Sequence, residues 1–335
     1  MNPYLYLAPL LAALFTSLVV VPLVLRFALG RGLLDVPGGR KSHDVAVPRL
    51  GGVGILAGFL VGVAVGAVVS RHLGWWNDDY GALLAGALIM FGVGLSDDLL
   101  HRPSGDSRRE GLPAWLKLLL QFGAAMVPMY AGVRISSFQL LNDYQVLPPW
   151  LSYPLTLIWI AGITNALNFI DGVDGLAGGV SMIMVATLAI IAIGGPSSSV
   201  GTAVFALSLL GGVIGFLRYN FPPARIFMGD GGAYLLGYLL AMLAITGVMK
   251  GATTLAVLAP LVIMALPILN LAGVVVVRML RGDSPMAADR EHLHNRLQDS
   301  GWSDLSVLLF VYAVCGLCGS AALSLFGLAR PSAAL

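Results

Sequence analysis

Four short stretches carry most of the chemistry this chain can offer. Asp97 and Asp98 stand in GLSDDLL, and Asp171 and Asp174 stand with Asn165 and Asn168 in NALNFIDGVDGLAGG. Asp230 stands in IFMGDGG, and DSPMAADREHLHNRLQDSG (283–301) holds His292 and His294 among Asp289, Arg290, Glu291 and Arg296. One Asp-Gly pair reads as a turn or helix cap. The adjacent acids Asp97–Asp98 do not, because they end an apolar run rather than begin one. Carboxylates held close together raise one another's pKa unless a cation neutralises them. Magnesium, a hard ion that prefers oxygen and is often shared with substrate phosphates, suits that task. Arginine abounds in the neighbouring polar segments, and its planar donors match phosphate. The chemistry implied is a magnesium-dependent reaction on a phosphate-bearing substrate. His-x-His puts its rings on different faces of a helix but on one face of an extended segment. A zinc site would need more ligands, and no HExxH is present. Two readings of 283–301 stand: an amphipathic surface helix, or an interfacial loop that closes over the polar site and contacts a nucleotide or phosphate.

These residues must be positioned by membrane spans. The 335 residues are 58% hydrophobic and 11% charged, with a mean hydropathy of +0.87, whereas soluble domains carry about 25% charged residues. Apolar stretches near the length of a bilayer crossing run over 5–29, 50–70, 80–96, 113–132, 150–168, 176–194, 199–217, 232–249, 253–277 and 305–328. The expected fold is an all-α polytopic membrane protein, one domain over 1–335 with about ten transmembrane helices. The ninth stretch is long enough to tilt, or to break at Pro267. No basic residue precedes the first span, and Arg26 and Arg31 follow it, the reverse of a signal peptide. We therefore expect an uncleaved span with its N-terminus outside.

That orientation makes 30–49, 97–112, 165–176, 218–231 and 278–304 cytoplasmic loops. All the Lys and Arg except Arg71, Arg134, Lys250 and Arg330 fall in or beside them, fifteen of nineteen, a clear positive-inside bias. Asp97, Asp98, Asp171, Asp174 and Asp230 then all lie at cytoplasmic mouths of spans, where an ionised group near hydrocarbon is usually functional. Even-numbered spans begin at that face. Backbone N–H groups near Gly51–Gly52, Gly175 and Gly231–Gly232 are thus expected to be free to receive phosphate.

Other features read as structural. Cys315 and Cys318 form a CxxC inside the last apolar span, without the context of a redox motif. The 42 glycines suit close packing of membrane helices, and Trp75, Trp76, Trp150 and Trp302 fall near span ends. His72 and Asp78–Asp79 lie in an external loop. His43 and Arg49 sit in the first internal loop, either as site residues or as topology-setting charge. An ion-coupled transporter would place its acids near the midplane, often between inverted repeats; no repeat is visible, and the acids gather at one surface. A CDP-alcohol phosphotransferase would carry Asp-Gly-x-x-Ala-Arg, and DGVDGLAGG has no Arg there.

The motifs LLDVPGGRKSHDVAVPRLGG (33–52), GLSDDLL (94–100), NALNFIDGVDGLAGG (165–179), NFPPARIFMGDGGAYLLG (220–237) and GDSPMAADREHLHNRL (282–297) make the chain resemble the polyprenyl-phosphate N-acetylhexosamine-1-phosphate transferases. These are WecA- and TagO-type enzymes of glycosyltransferase family 4. The resemblance spans about 31–301 with the motifs in family order. It implies transfer of N-acetylhexosamine 1-phosphate, GlcNAc by default, from a UDP-sugar to polyprenyl (undecaprenyl) phosphate. UMP is released, Mg²⁺ is required with Mn²⁺ as a substitute, and the step begins a cell-envelope polysaccharide at the bacterial cytoplasmic (inner) membrane. The expected partners are the polyprenyl phosphate, the UDP-N-acetylhexosamine and membrane lipids, not nucleic acid, with a homodimer left open.

By the same resemblance Asp97, Asp98, Asp171 and Asp174 are catalytic, and Asp230 with Asp98 holds the metal. Asn165, Asn168, Asn220, Asp174, His292, His294 and Arg278 bind the nucleotide sugar, and Lys41, Arg49 and Lys117 hold phosphate. Two positions depart from the family pattern. Asn295 stands where a final His is usual, and Asn270 follows LPIL where Asp is common, so sugar selectivity or nucleotide affinity is what they put in question. The muramyl-pentapeptide transferase branch usually has Thr-Pro-Thr-Met-Gly-Gly where this chain has VPRLGG (47–52), and its run of three His is absent here.

Overall fold

A computed structural model describes residues 4–35, 46–100, 111–140, 143–195, 198–249, 255–282 and 293–328. The chain is an all-α polytopic membrane protein. Its helices are α1 (Tyr4–Arg31), α2 (Gly51–Val69), α3 (Asp78–Leu100), α4 (Ala114–Tyr130), α5 (Pro149–Ile170), α6 (Leu176–Gly194), α7 (Val200–Asn220), α8 (Gly229–Ala244), α9 (Leu255–Ile263), α10 (Ala265–Arg281), α11 (Leu293–Asp299) and α12 (Asp304–Leu325). Eight of the described helical segments are long and apolar enough to cross a membrane, counting α8 with its π-helical extension to Met249. The 17-residue α4 coincides with the fourth expected span.

The ninth expected span is two helices. The chain bends at Met264 between α9 and α10, three residues before Pro267. Proline cannot donate to the carbonyl four residues back, and its ring crowds that carbonyl. The disruption therefore falls a turn before the proline itself. Two short antiparallel pairs join the helices: β1 (Leu34–Asp35) with β2 (Val47–Pro48), and β3 (Ser137–Leu140) with β4 (Asp143–Val146).

The bundle is built around α8. Its apolar window is 94% buried, against 22% for α1, because α8 packs against α2, α3, α5 and α6, whereas α1 packs mainly against α2 and α7. Glycine sets how closely neighbours approach. Gly54, Gly58, Gly62 and Gly66 repeat every fourth residue along α2, on one stripe against α1 and α7. A Cβ on Gly58 would stand 2.7 Å from the Ala13 carbonyl oxygen, and one on Gly62 2.8 Å from that of Pro9. Gly52 meets Gly232, Gly94 meets the backbone of Asp230, and Gly237 meets Thr164. In this way α2, α3 and α5 all reach the backbone of α8.

Gly58→Leu should force α1 away from α2. The expected loss is about 1–3 kcal/mol, the usual cost of overpacking, read as a lower Tm in detergent. An unchanged Tm would mean that the stripe tolerates bulk.

Candidate active site

Asp97 is buried near the C-terminal end of α3. Its Oδ1 accepts the Leu112 N–H at 2.6 Å, and its Oδ2 lies 2.5 Å from Lys117 Nζ. The same ammonium stands 3.2 Å from Asp230 Oδ2, so one cation from α4 bridges acids from α3 and α8. Asp230 Oδ1 accepts the Asn168 Nδ2–H at 3.1 Å. Two carboxylates brought this close repel, and Lys117 supplies the charge that offsets them.

Asp98 faces elsewhere. Adjacent helical residues do not share a face, and Asp98 turns to the start of α8. Its Oδ1 accepts the Asp230 N–H and its Oδ2 the Gly231 N–H, each at 2.9 Å.

Asp171 caps the C-terminal end of α5, half-buried. Burial pushes its carboxyl up to about 7; the charges of Asp230 and Asp174 push the same way, and Arg49 opposes them. Asp174 Oδ2 accepts the Ala224 N–H at 2.8 Å. The loop holding both acids is fixed at Gly175, whose φ of +76° favours glycine. Its N–H donates to Asn220 Oδ1 at 3.1 Å, and its carbonyl accepts the Tyr312 hydroxyl at 2.6 Å. Arg278 is buried on α10, with its guanidinium 5.8 Å from the centre of the Phe169 ring.

The structure thus joins Asp97, Asp230, Asn168 and Lys117 in one polar cluster, with Asp98 behind it. Asp171 is near enough to feel Asp230, Asp174 and Arg49. Asn165 lies deeper along α5, donating to Gln121 Oε1 at 2.7 Å and to the Ala161 carbonyl at 2.8 Å. Asn220 is buried; its Nδ2 donates to the Ile226 carbonyl at 2.9 Å while its Oδ1 holds Gly175. It stitches two loops together. Lys41, His43 and His292 lie outside the described residues, as does the side chain of His294.

One expectation is corrected. The helix-start N–H groups of Gly51, Gly52, Gly175 and Gly231, put forward as phosphate receivers, are taken up within the protein. Gly51 and Gly52 donate to the carbonyls of Phe227 and Met228, each at 2.9 Å. Gly175 donates to Asn220 and Gly231 to Asp98. Helix-end donors in a packed bundle need partners, and here neighbouring loops and side chains supply them.

Sequence reasoning missed Gln121 and Tyr312. Gln121 had a signal: an amide four residues after Lys117 in an otherwise apolar run. Tyr312 had none, since a tyrosine in a terminal span is unremarkable without its neighbours.

The departure at Asn270 also finds a structural use. Its Oδ1 accepts the Leu293 N–H at 2.8 Å, tying α10 to the first residue of α11. An acceptor is all this bond requires, and either Asn or Asp provides one. Asn270→Ala should loosen α11 by about 1 kcal/mol, making tryptic cleavage after the exposed Arg296 roughly five-fold faster. Asn270→Asp should cleave like the parent. Equal rates for all three would mean that this bond does not hold α11.

In kind, the donors fit a magnesium ion. Among the described residues no three His, Cys, Asp or Glu side chains converge as a complete metal cage. Magnesium, however, is commonly held by one or two carboxylates, with waters and substrate phosphates completing its shell. Asp97 and Asp230, which share Lys117 as counter-cation, are two carboxylates of the kind that would hold it.

Comparison with known proteins shows the family. The model for glycosyl transferase family 4 matches residues 80–248, which include Asp97, Lys117, Asn168, Asp171 and Asp230. A probable undecaprenyl-phosphate N-acetylglucosaminyl 1-phosphate transferase of Bacillus subtilis (strain 168) is 34% identical over 307 residues, 91% of this chain and 80% of that protein. A decaprenyl-phosphate N-acetylglucosaminephosphotransferase of Mycobacterium tuberculosis (strain CDC 1551 / Oshkosh) is 33% identical, covering 98% of this chain and 84% of its own length. A phospho-N-acetylmuramoyl-pentapeptide-transferase of Heliobacterium modesticaldum is 32% identical, covering 88% of each chain. The similarity runs through the helices that carry the acid cluster, and the chain belongs to glycosyl transferase family 4.

Proposed function

We propose that the protein transfers N-acetylglucosamine 1-phosphate from UDP-GlcNAc to a polyprenyl phosphate at the cytoplasmic face of the bacterial inner membrane. The products are polyprenyl-diphospho-GlcNAc and UMP. The observation that carries this reading is the Asp97–Lys117–Asp230 bridge with Asn168 beside it. It is a charged cluster formed by three apolar helices, which is costly in a membrane unless it is used. The choice of GlcNAc follows the relatives' names. VPRLGG at 47–52 and the lack of three consecutive histidines weigh against the muramyl-pentapeptide branch.

The reaction forms one P–O bond and breaks another. An oxygen of the lipid phosphate attacks the β-phosphorus of the UDP-sugar, and the bond to the bridging α,β oxygen breaks as UMP leaves. A phosphate monoester has its second pKa near about 6, so the nucleophile is largely ionised at neutral pH without a base. Alignment and charge neutralisation then do most of the work. Lys117 keeps Asp97 and Asp230 ionised and adjacent, and Asn168 fixes the rotation of the Asp230 carboxylate. Arg49 and Arg278 supply positive charge at the edges of the site, suited to phosphate. Bound through Asp97 and Asp230, Mg²⁺ (or Mn²⁺ in its place) would polarise the phosphoryl oxygens and offset charge on the leaving group.

The test is purified protein in detergent with polyprenyl phosphate, Mg²⁺ and a panel of UDP-sugars, following UMP release. The expected result is release with UDP-GlcNAc that needs lipid and stops with EDTA. Release with another donor alone would overturn the sugar assignment, and release without lipid would overturn the acceptor.

A further inference from the structure

We infer that Asp98 is a positioning residue: its carboxylate anchors the start of α8 and so sets where Asp230 stands. The inference rests on the reaction proposed above for its functional meaning, and on geometry for its structural meaning. Asp98 is the second member of an acidic pair in which, by resemblance, both residues serve the metal or the substrate. The structure separates their tasks. Asp97 reaches Lys117, while each Asp98 oxygen takes one of the first N–H groups of α8, both at 2.9 Å.

The helix has need of this. The residue before α8, Met228, makes no capping bond with its side chain. The N–H groups of Asp230 and Gly231 would otherwise be orphaned helix-start donors in a packed interior. The two Asp98 oxygens fill the place of the missing cap, one for each of these donors.

The surroundings are shaped to bring Asp98 close. Gly229, with φ of +74°, turns the chain into α8, and a Cβ there would stand 2.5 Å from Asp98 Oδ2. Gly94, one turn earlier on α3, lets that helix lie directly on the Asp230 backbone. Any side chain at either glycine would push α3 and α8 apart. The Asp230 carboxylate then projects from a backbone held by Asp98 on one side and is oriented by Asn168 and Lys117 on the other. A small shift of that backbone would misplace the carboxylate, and misplacement of about 1 Å is enough to cost roughly 100-fold in rate.

The experiment reads amide exchange and turnover separately. Hydrogen exchange of the peptide covering 228–233 is measured on metal-free, substrate-free protein in detergent for wild type, Asp98→Asn, Asp98→Ala and Asp230→Asn. Asp98→Ala should exchange about 10–100-fold faster at Asp230 and Gly231, the range for losing two hydrogen bonds in a packed interior. Asp98→Asn keeps one acceptor oxygen and should fall between, while Asp230→Asn should match wild type. In UMP release, Asp98→Asn should retain several times the activity of Asp98→Ala. Should Asp98→Ala not fold, Asp98→Asn decides alone, by faster exchange together with residual turnover.

Unchanged exchange in the Asp98 variants, or equally complete loss of turnover in both, would overturn the inference and place Asp98 among the reacting groups. If wild type releases no UMP with any donor, the proposed reaction fails, and the exchange data still decide whether Asp98 anchors α8.

Discussion

Lys117→Met should abolish turnover while leaving a folded but less stable protein. The substitution keeps the length and most of the volume of the side chain but removes the ammonium standing between Asp97 and Asp230. Two carboxylates from different helices would then face each other in a poorly solvated site. Removing one partner of a buried ion pair costs about 3–5 kcal/mol, mostly from the charge left behind. The rate should fall by at least about 100-fold for a separate reason, because the repelling carboxylates would move from the positions that the reaction needs. One carboxylate would take up a proton to relieve the repulsion, and the pair would lose its affinity for a divalent cation. Lys117→Arg keeps the charge but not the compact shape and should retain partial activity. UMP release beside thermal unfolding checks both variants. Near-normal turnover in Lys117→Met would show that the bridge is incidental.

The second large effect concerns stability and pH. Partial burial and the charge of Asp230 push the Asp171 carboxyl up to about 7 in the folded protein, against 3.8 ordinarily. In the unfolded chain it has lost its proton by about pH 5; in the folded chain it keeps it until near 7. Between those limits the folded state binds more protons, so stability falls as pH rises through the window and levels off above it. Asp171→Asn removes this titration. The variant should be more stable than wild type at about pH 8 by about 2 kcal/mol or more, with the difference shrinking steadily towards about pH 4. Thermal unfolding in detergent across that range gives the comparison. A pH-independent difference would mean that Asp171 is not held with a raised pKa.

Most of the helical frame was legible in the sequence, because an apolar run of bilayer length is a local signal. The expected stretch 176–194 and helix α6 have the same bounds. The break in the ninth span was legible only in part. Pro267 announced a disruption, but its clash acts on the preceding turn, so the bend falls at Met264. The hairpin of β3 and β4 was not foreseen: SFQL and DYQV do alternate polar and apolar residues, but four-residue strands are a weak signal between two long apolar spans.

The site was legible as a set of residues and not as a set of bonds. Charged groups in an apolar chain stand out, so Asp97, Lys117, Asn168 and Asp230 could be named in advance. Which acid bridges to Lys117, 20 positions along the chain, and which holds α8, 132 positions along, depends on how the helices pack. Helix-start N–H groups looked available because a sequence shows only where a helix begins. Whether a carbonyl such as that of Phe227 already occupies them is a tertiary fact. Asn220 and Asn270 share that history: each is polar, placed near a motif, and spent on holding backbone.

The central claim is that this protein moves a sugar 1-phosphate onto a lipid phosphate with loss of UMP. It is tested most directly with UDP-GlcNAc radiolabelled in the β-phosphate, incubated with purified protein, polyprenyl phosphate and Mg²⁺, then partitioned between butanol and water. The account predicts that label enters the lipid phase mole for mole with UMP, and that Asp230→Asn leaves it in the aqueous phase. Label recovered in water as free sugar phosphate, or lipid labelling that persists in Asp230→Asn, would contradict it.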